Sequence, residues 1–175
     1  MVLPPTVAGF FLLLIFSLRR PFGAALYEGC GIKVVQTWLG CVLAATVIAF
    51  PLMYRNARAA FEQVDVNLIY AARTLGMSEM KIFWKVVIPS ARPGILSGTI
   101  LTFARAMGEY GATSMLAGNI LGKTRTVSVA IASETAAGNY GMAGFWVVVI
   151  LIISFVIVAA INIVSGKGMK MGRWM

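Results

Sequence analysis

The sequence predicts an all-α protein, a polytopic transmembrane helical bundle of about four spans, and three observations predict it. Hydrophobic residues fill 59% of the 175 positions and charged residues only 12%, with a mean hydropathy of +0.86, where a soluble domain carries about a quarter charged residues. The stretches 1–18, 34–54, 94–116 and 141–164 are apolar and long enough to cross a hydrocarbon core of about 30 Å. Lys and Arg gather between these stretches, nine in the 55–93 loop and the C-terminal tail against five in the other connections. That bias places the central loop and the tail in the cytoplasm.

The same composition excludes several function classes. A net charge of +9 is accounted for by basic cytoplasmic segments, so it gives no ground for nucleic-acid binding. Cys30 and Cys41 lack CxxC spacing and the chain has no histidine, which removes the ligands of a metal or thiol-redox site and the side chains of most membrane enzymes.

Taken in order, residues 1–18 lack the basic n-region of a signal peptide and read as a span that begins abruptly, made irregular by Pro4, Pro5 and Gly9. Arg19, Arg20 and Pro21 end it, and a polar connection is expected as far as Lys33. The 34–54 span carries Trp38 and Tyr54 as interfacial anchors, and Gly40 and Ala44 form a small-xxx-small pair for close helix approach. The 94–116 span holds two charges, Arg105 and Glu109, and a Gly- and Thr-rich segment follows to Tyr140. The 141–164 run is the clearest span of all, followed by a basic tail with Lys167, Lys170 and Arg173.

The central loop has its own punctuation. Asp65 is placed to cap a helix over 66–75, Gly76 to stop it in a left-handed conformation, and Ser78 to start a second short helix from Glu79 to about Val87. Pro89 and Pro93 would return the chain to the membrane. Leu68, Ile69, Ala72 and Leu75 share one face of the first helix. Such a face either docks into a groove on a soluble partner or lies on lipid headgroups, and periodicity does not choose between them.

Arg105 and Glu109 stand one helical turn apart, and counting from Gly94 places Arg105 about 17 Å into the span. Two readings fit: a pair that locks packing, or a pair that lines an anion path with Arg105 as donor and Thr113 nearby. Thr113, Ser114, Asn119, Thr124 and Thr126 either offer donors at an outer mouth or are ordinary loop residues. Gly98, Gly108 and Gly111 read as close-packing points, and Gly94-xxx-Gly98 as a short dimerisation pattern. Gly118 to Thr124 imitates a phosphate-binding loop, but three residues separate the glycines where four are needed.

The loop resembles the EAA loop of bacterial ABC-importer permeases: Tyr70-Ala71-Ala72, three residues, Gly76, nine residues, Val86-x-Ile88-Pro89. Tyr70 stands where that pattern has an acid, a departure that bears on any salt bridge the acid would make. The segments LPPTVAGFFLL, FPLMYRNARAAFEQVD, AARTLG, FARAMGEYGAT and GNILGKTRT extend the resemblance to molybdate ABC-transporter permeases, the fourth being shared with sulfate and thiosulfate permeases. The resemblance implies an ABC type I importer permease architecture in one transmembrane domain, 1–175, lacking the usual N-terminal span or spans. It implies import of molybdate, or alternatively of tungstate, sulfate or thiosulfate, across the bacterial inner membrane. Implied partners are an ABC ATPase, a periplasmic or lipid-anchored molybdate-binding protein, and a second copy of the permease. ATP and Mg would belong to the ATPase, so this chain carries no cofactor and is not itself an enzyme. Asp65, Tyr70, Ala71, Ala72, Gly76 and Pro89 would couple to the ATPase. The rival from another class, a self-contained channel or secondary transporter, would rely on Glu109 as its coupling carboxylate.

Overall fold

The structure, a computed structural model, describes residues 4–169, with side chains to residue 163. Met1–Leu3 of the expected first span, Lys170 and Arg173 lie outside the described residues, and the Lys167 side chain is likewise not described. Every element among the described residues is helical. Among the described residues, three helical stretches have the length and apolarity to cross a membrane: Trp38–Glu62, Glu79–Met107 and Tyr140–Ile163. A fourth span arises if the bent pair Pro5–Phe16 and Pro21–Cys30, which meet at 58°, counts as one.

Two compact units divide the chain, one formed by Met1–Phe50 and Ala104–Val156, the other by Pro51–Phe103 and Ile157–Met175. In the first unit, α1 (Pro5–Phe16) begins at its proline, where the missing N–H would have had no intrahelical partner in any case. The prolines expected to make this span irregular therefore start its helix. The polar connection expected after Pro21 is instead α2 (Pro21–Cys30), again opened by proline and closed by Gly31 at φ 68°. A side chain at Gly23 would run into the carbonyl of Ser17, so glycine permits the sharp corner between the two helices.

Close approach of small residues builds the core of this unit. A Cβ on Gly9 would lie 2.6 Å from Cα of Ala112 in α7 (Gly111–Leu116). Gly40, in the first turn of α3 (Trp38–Glu62), would meet the Val34 carbonyl at 2.6 Å and the Leu116 side chain at 3.5 Å. Ala44, one turn on, is fully buried with Ala8, Leu12, Val34, Ile48, Ala112 and Leu116. The Gly40–Ala44 pair thus serves the close packing expected of it. The Gly- and Thr-rich segment is also more ordered than its composition suggests: it contains α8 (Val127–Ala136), whose N-cap Thr126 accepts from the Val129 N–H.

The second unit holds α4 (Val66–Thr74) and α5 (Glu79–Ile82). The second loop helix does not end near Val87 as expected. A π-helical turn, Phe83–Val87, joins α5 to α6 (Ile88–Met107), so the helix runs from Glu79 to Met107. Pro89 explains the turn: its ring nitrogen has no hydrogen to donate, and the Ile88 N–H reaches back five residues to the Phe83 carbonyl. The Gly94-xxx-Gly98 pattern is occupied within the chain, where Cβ atoms at these glycines would lie 2.7 Å from Ala60 Cβ and 2.5 Å from Asn56 Cβ of α3.

The final helix, α9 (Tyr140–Met169), has a mean hydropathy of 3.0 over its span and buries none of that window within the chain. Its apolar surface is of the kind that faces lipid or another membrane protein.

Gly9→Leu and Gly94→Leu should each destabilise the fold by about 1–3 kcal/mol through overpacking. Gly141→Ala, which meets nothing within 4 Å, should be neutral. Thermal unfolding of the detergent-solubilised protein checks the contrast.

Candidate functional site

Two sets of residues converge on sites, one in the loop and one at the end of α6. In the loop, Asp65 caps α4 by accepting the Asn67 N–H at 2.9 Å. At the other end the Gly76 N–H bonds the Arg73 carbonyl at 2.9 Å and the Met77 N–H bonds the Ala72 carbonyl at 3.2 Å. This pair of bonds is a Schellman motif, and its left-handed position is Gly76, at φ 74°. Space around Gly76 is open: a side-chain carbon there would meet nothing within 4 Å. Backbone conformation alone therefore calls for glycine.

The expected apolar face of α4 divides. Ala72 is buried and Ile69 half-buried, while Leu68 and Leu75 stand in the open, Leu75 81% exposed. Tyr70, Met80 and Trp84 are exposed as well, so the turn presents a mixed apolar and aromatic surface. Ala71 is exposed beside them, and Pro89 lies in the first turn of α6 behind the π turn.

Sequence reasoning missed the interaction that closes this turn. Arg73 Nε donates to Glu79 Oε1 at 2.8 Å and its NH2 group donates to Oε2 at 3.1 Å, a two-pronged pair. The guanidinium also sits 5.9 Å from the centre of the Tyr70 ring. Glu79 raises the guanidinium pKa still further above its ordinary value, first through the hydrogen bond and then through charge. The loop therefore has an ion pair without an acid at position 70. The signal was present as opposite charges on either side of a glycine stop, but their meeting depends on the turn angle, which spacing does not give.

At the end of α6 the expected 94–116 span is interrupted. The helix stops at Met107 and α7 begins at Gly111, so Arg105 occupies the last turn of one helix and Glu109 precedes the first turn of the next. Glu109 Oε1 accepts the Ala112 N–H at 2.8 Å, and Oε2 accepts from Arg105 NH1 at 3.2 Å. Both charges match the helix dipoles they face, positive at a C-terminus and negative at an N-terminus. The Glu109 side chain is 2% exposed against 38% for Arg105. Thr113 is 2% exposed inside α7. Of the three residues predicted to line a path, only Arg105 carries its polar group into open space. Gly108, expected as a packing point, lies at the break and would meet only the Ala104 carbonyl, at 3.8 Å.

The polar residues beyond are largely bonded within the segment. Ser114 donates to the Gly111 carbonyl, Asn119 to Ser133, and Thr124 accepts the Ile120 N–H. Asn139 and Arg125 hydrogen-bond the Glu134 carboxylate and hold its carboxyl below the usual carboxylate range. A cleft of about 210 Å³ remains, lined in part by Tyr110, Ser114, Asn119 and Ser133. In the P-loop imitation, the N–H groups of Lys123, Thr124 and Arg125 all turn onto the Ile120 carbonyl, so they form no phosphate cradle.

The family model of binding-protein-dependent transport system inner membrane components matches residues 1–165. The chain is 46% identical over 145 residues to the molybdenum transport system permease protein ModB of Escherichia coli K12, covering 82% of the chain and 63% of that relative. It is 44% identical over 155 residues to the putative molybdenum transport system permease protein YvgM of Bacillus subtilis, covering 89% and 68%. To the sulfate transport system permease protein CysT of Salmonella typhimurium it is 34% identical over 165 residues, covering 94% and 59%. The chain thus spans between 59% and 68% of the length of these relatives.

Glu109→Ala should strand a buried backbone donor and free a cation, lowering stability by about 1–3 kcal/mol. Glu109→Gln, which keeps an acceptor for Ala112, should cost markedly less. Unfolding midpoints of the two variants in detergent decide the order.

Proposed function

The chain belongs to the family of binding-protein-dependent transport system inner membrane components, and from that premise we propose that it is the transmembrane subunit of an ATP-driven importer of molybdate. The carrying observation is the 46% identity to a molybdenum permease, against 34% to a sulfate permease. Two copies would form the translocation path, an external binding protein would deliver the ion, and an ATPase on the cytoplasmic side would supply the work. The excess of Lys and Arg in the central loop and tail supports that orientation in the bacterial inner membrane.

The exposed surface around Tyr70, Leu68, Leu75, Met80 and Trp84 suits docking of the ATPase, because a face of this kind gains by burial against a protein groove. The helix that starts in this loop continues to Met107. A push on the loop would therefore act on the end of a span rather than on a slack connection. In the path itself, Arg105 would offer its free guanidinium N–H groups to a passing tetrahedral oxyanion. Glu109, already committed to Ala112 and Arg105, would hold that guanidinium in place and keep the anion from binding too tightly to leave.

Uptake into vesicles containing the permease, its ATPase and binding protein tests the reading. ATP-dependent accumulation of molybdate in preference to sulfate is expected. Accumulation without ATP would favour a channel or secondary transporter, and preference for sulfate or tungstate would reassign the ion.

In the same vesicles, Gly76→Val should insert and bind ATPase but transport little per ATP hydrolysed, since a left-handed β-branched residue costs about 1–2 kcal/mol. Gly76→Asn, which tolerates that conformation, should retain most of the uptake.

A further inference from the structure

We propose that Tyr70, Arg73 and Glu79 form a clamp across the Gly76 turn that fixes the angle between α4 and α5, and that this clamp is what makes the loop a stiff lever. The inference rests on the functional reading above, in which the loop receives force from an ATPase.

A turn with one left-handed glycine is defined by its two backbone bonds on the α4 side, from Gly76 to Arg73 and from Met77 to Ala72. Nothing in those bonds holds the chain after Met77. Ser78 occupies the N-cap position of α5 but makes no side-chain capping bond, so the start of α5 lacks the local tie that Asp65 gives α4. The missing restraint comes from the side chains. Arg73, in the last turn of α4, meets Glu79, the first residue of α5, through two parallel hydrogen bonds of 2.8 and 3.1 Å. A two-pronged pair of this kind fixes orientation as well as distance, because the planar guanidinium and the planar carboxylate must lie edge to edge.

Tyr70 restrains the remaining freedom. Its ring lies three residues before Arg73 on α4, with the guanidinium carbon 5.9 Å from its centre. Positions three apart share a helix face, so the ring supports the arginine from the α4 side while Glu79 holds it from the α5 side. Both charges suit the helix ends they occupy, the cation at the C-terminus of α4 and the carboxylate at the N-terminus of α5. The pair is exposed, with side chains 50% and 71% open, and an exposed pair contributes little to global stability. Its effect is on an angle: it adds an orientation-specific tie to the packing that buries Ala72 and Ile82 in these helices. These are positioning residues, acting on transport through the loop.

The test uses the permease assembled with its ATPase and binding protein in vesicles, and reads ions transported per ATP hydrolysed together with the amount of ATPase retained. Arg73→Gln and Glu79→Gln should each lower the transport ratio about threefold or more with ATPase retention unchanged. Tyr70→Ala should lower the ratio and weaken retention together, since Tyr70 also lies on the proposed docking surface. Tyr70→Phe, which keeps the ring under the guanidinium, should lose less of the ratio than Tyr70→Ala. The exchanged pair Arg73→Glu with Glu79→Arg should recover part of the ratio lost in either single change. Unchanged ratios in the Gln variants, or an exchanged pair no better than the singles, would overturn the clamp while leaving the importer reading intact. Failure of the wild type to retain an ATPase would instead bring down the reading on which the clamp rests. Loss of ATPase from the Gln variants alone would show that these residues contact the partner directly, and would also overturn the proposal.

Discussion

A chain that lies in lipid cannot leave backbone N–H and C=O groups without partners, since no water is there to take them. Two helix interruptions in this protein are met by local substitutes. Where Pro89 has no hydrogen to donate, the chain widens into a π turn and the Ile88 N–H finds the Phe83 carbonyl. Where α6 stops, Glu109 supplies the acceptor for Ala112 at the start of α7 and ties itself to Arg105 behind it. This constraint explains why a carboxylate is buried there: it completes a broken helix, and its own charge is balanced one turn away.

The same solution shapes the loop. The π turn keeps α5 continuous with α6, so the residues after Gly76 belong mechanically to a span. The residues before it belong to a capped helix with an exposed apolar edge. Gly76 is where the two meet, and its open surroundings mean that conformation, not crowding, sets the requirement for glycine. A connector made of two stiff pieces and one defined angle can pass a displacement on, which a flexible loop of equal length would absorb.

Much of this was legible in the sequence where the signal is local. Asp65, Gly76 and the four long apolar stretches announce a capped helix, its stop and a membrane architecture, because capping and hydropathy depend on near neighbours. What was not legible depends on partners far along the chain or on a three-dimensional angle. The Gly94–Gly98 pattern does not say whether its groove will hold another copy or, as here, Asn56 and Ala60 of the same chain. The break after Met107 falls in an apolar stretch with no proline to mark it. Thr113 reads as available for a path because it is polar, whereas α7 places it among its buried residues, 2% exposed. Residues 21–30 read as a connection from their polar and glycine content, yet Pro21 starts a helix there.

If the loop and the start of the following span move as one stiff piece, the distance across the Gly76 turn is fixed by the chain itself. Spin labels at Asn67 and Lys81, exposed positions on either side of the turn and outside the proposed docking surface, in a background with Cys30 and Cys41 replaced, would report that distance in bilayers. A stiff turn predicts a single narrow distance distribution, unchanged when the ATPase binds. A broad distribution that narrows only on binding would contradict it, by showing that the partner orders the turn and the chain itself does not.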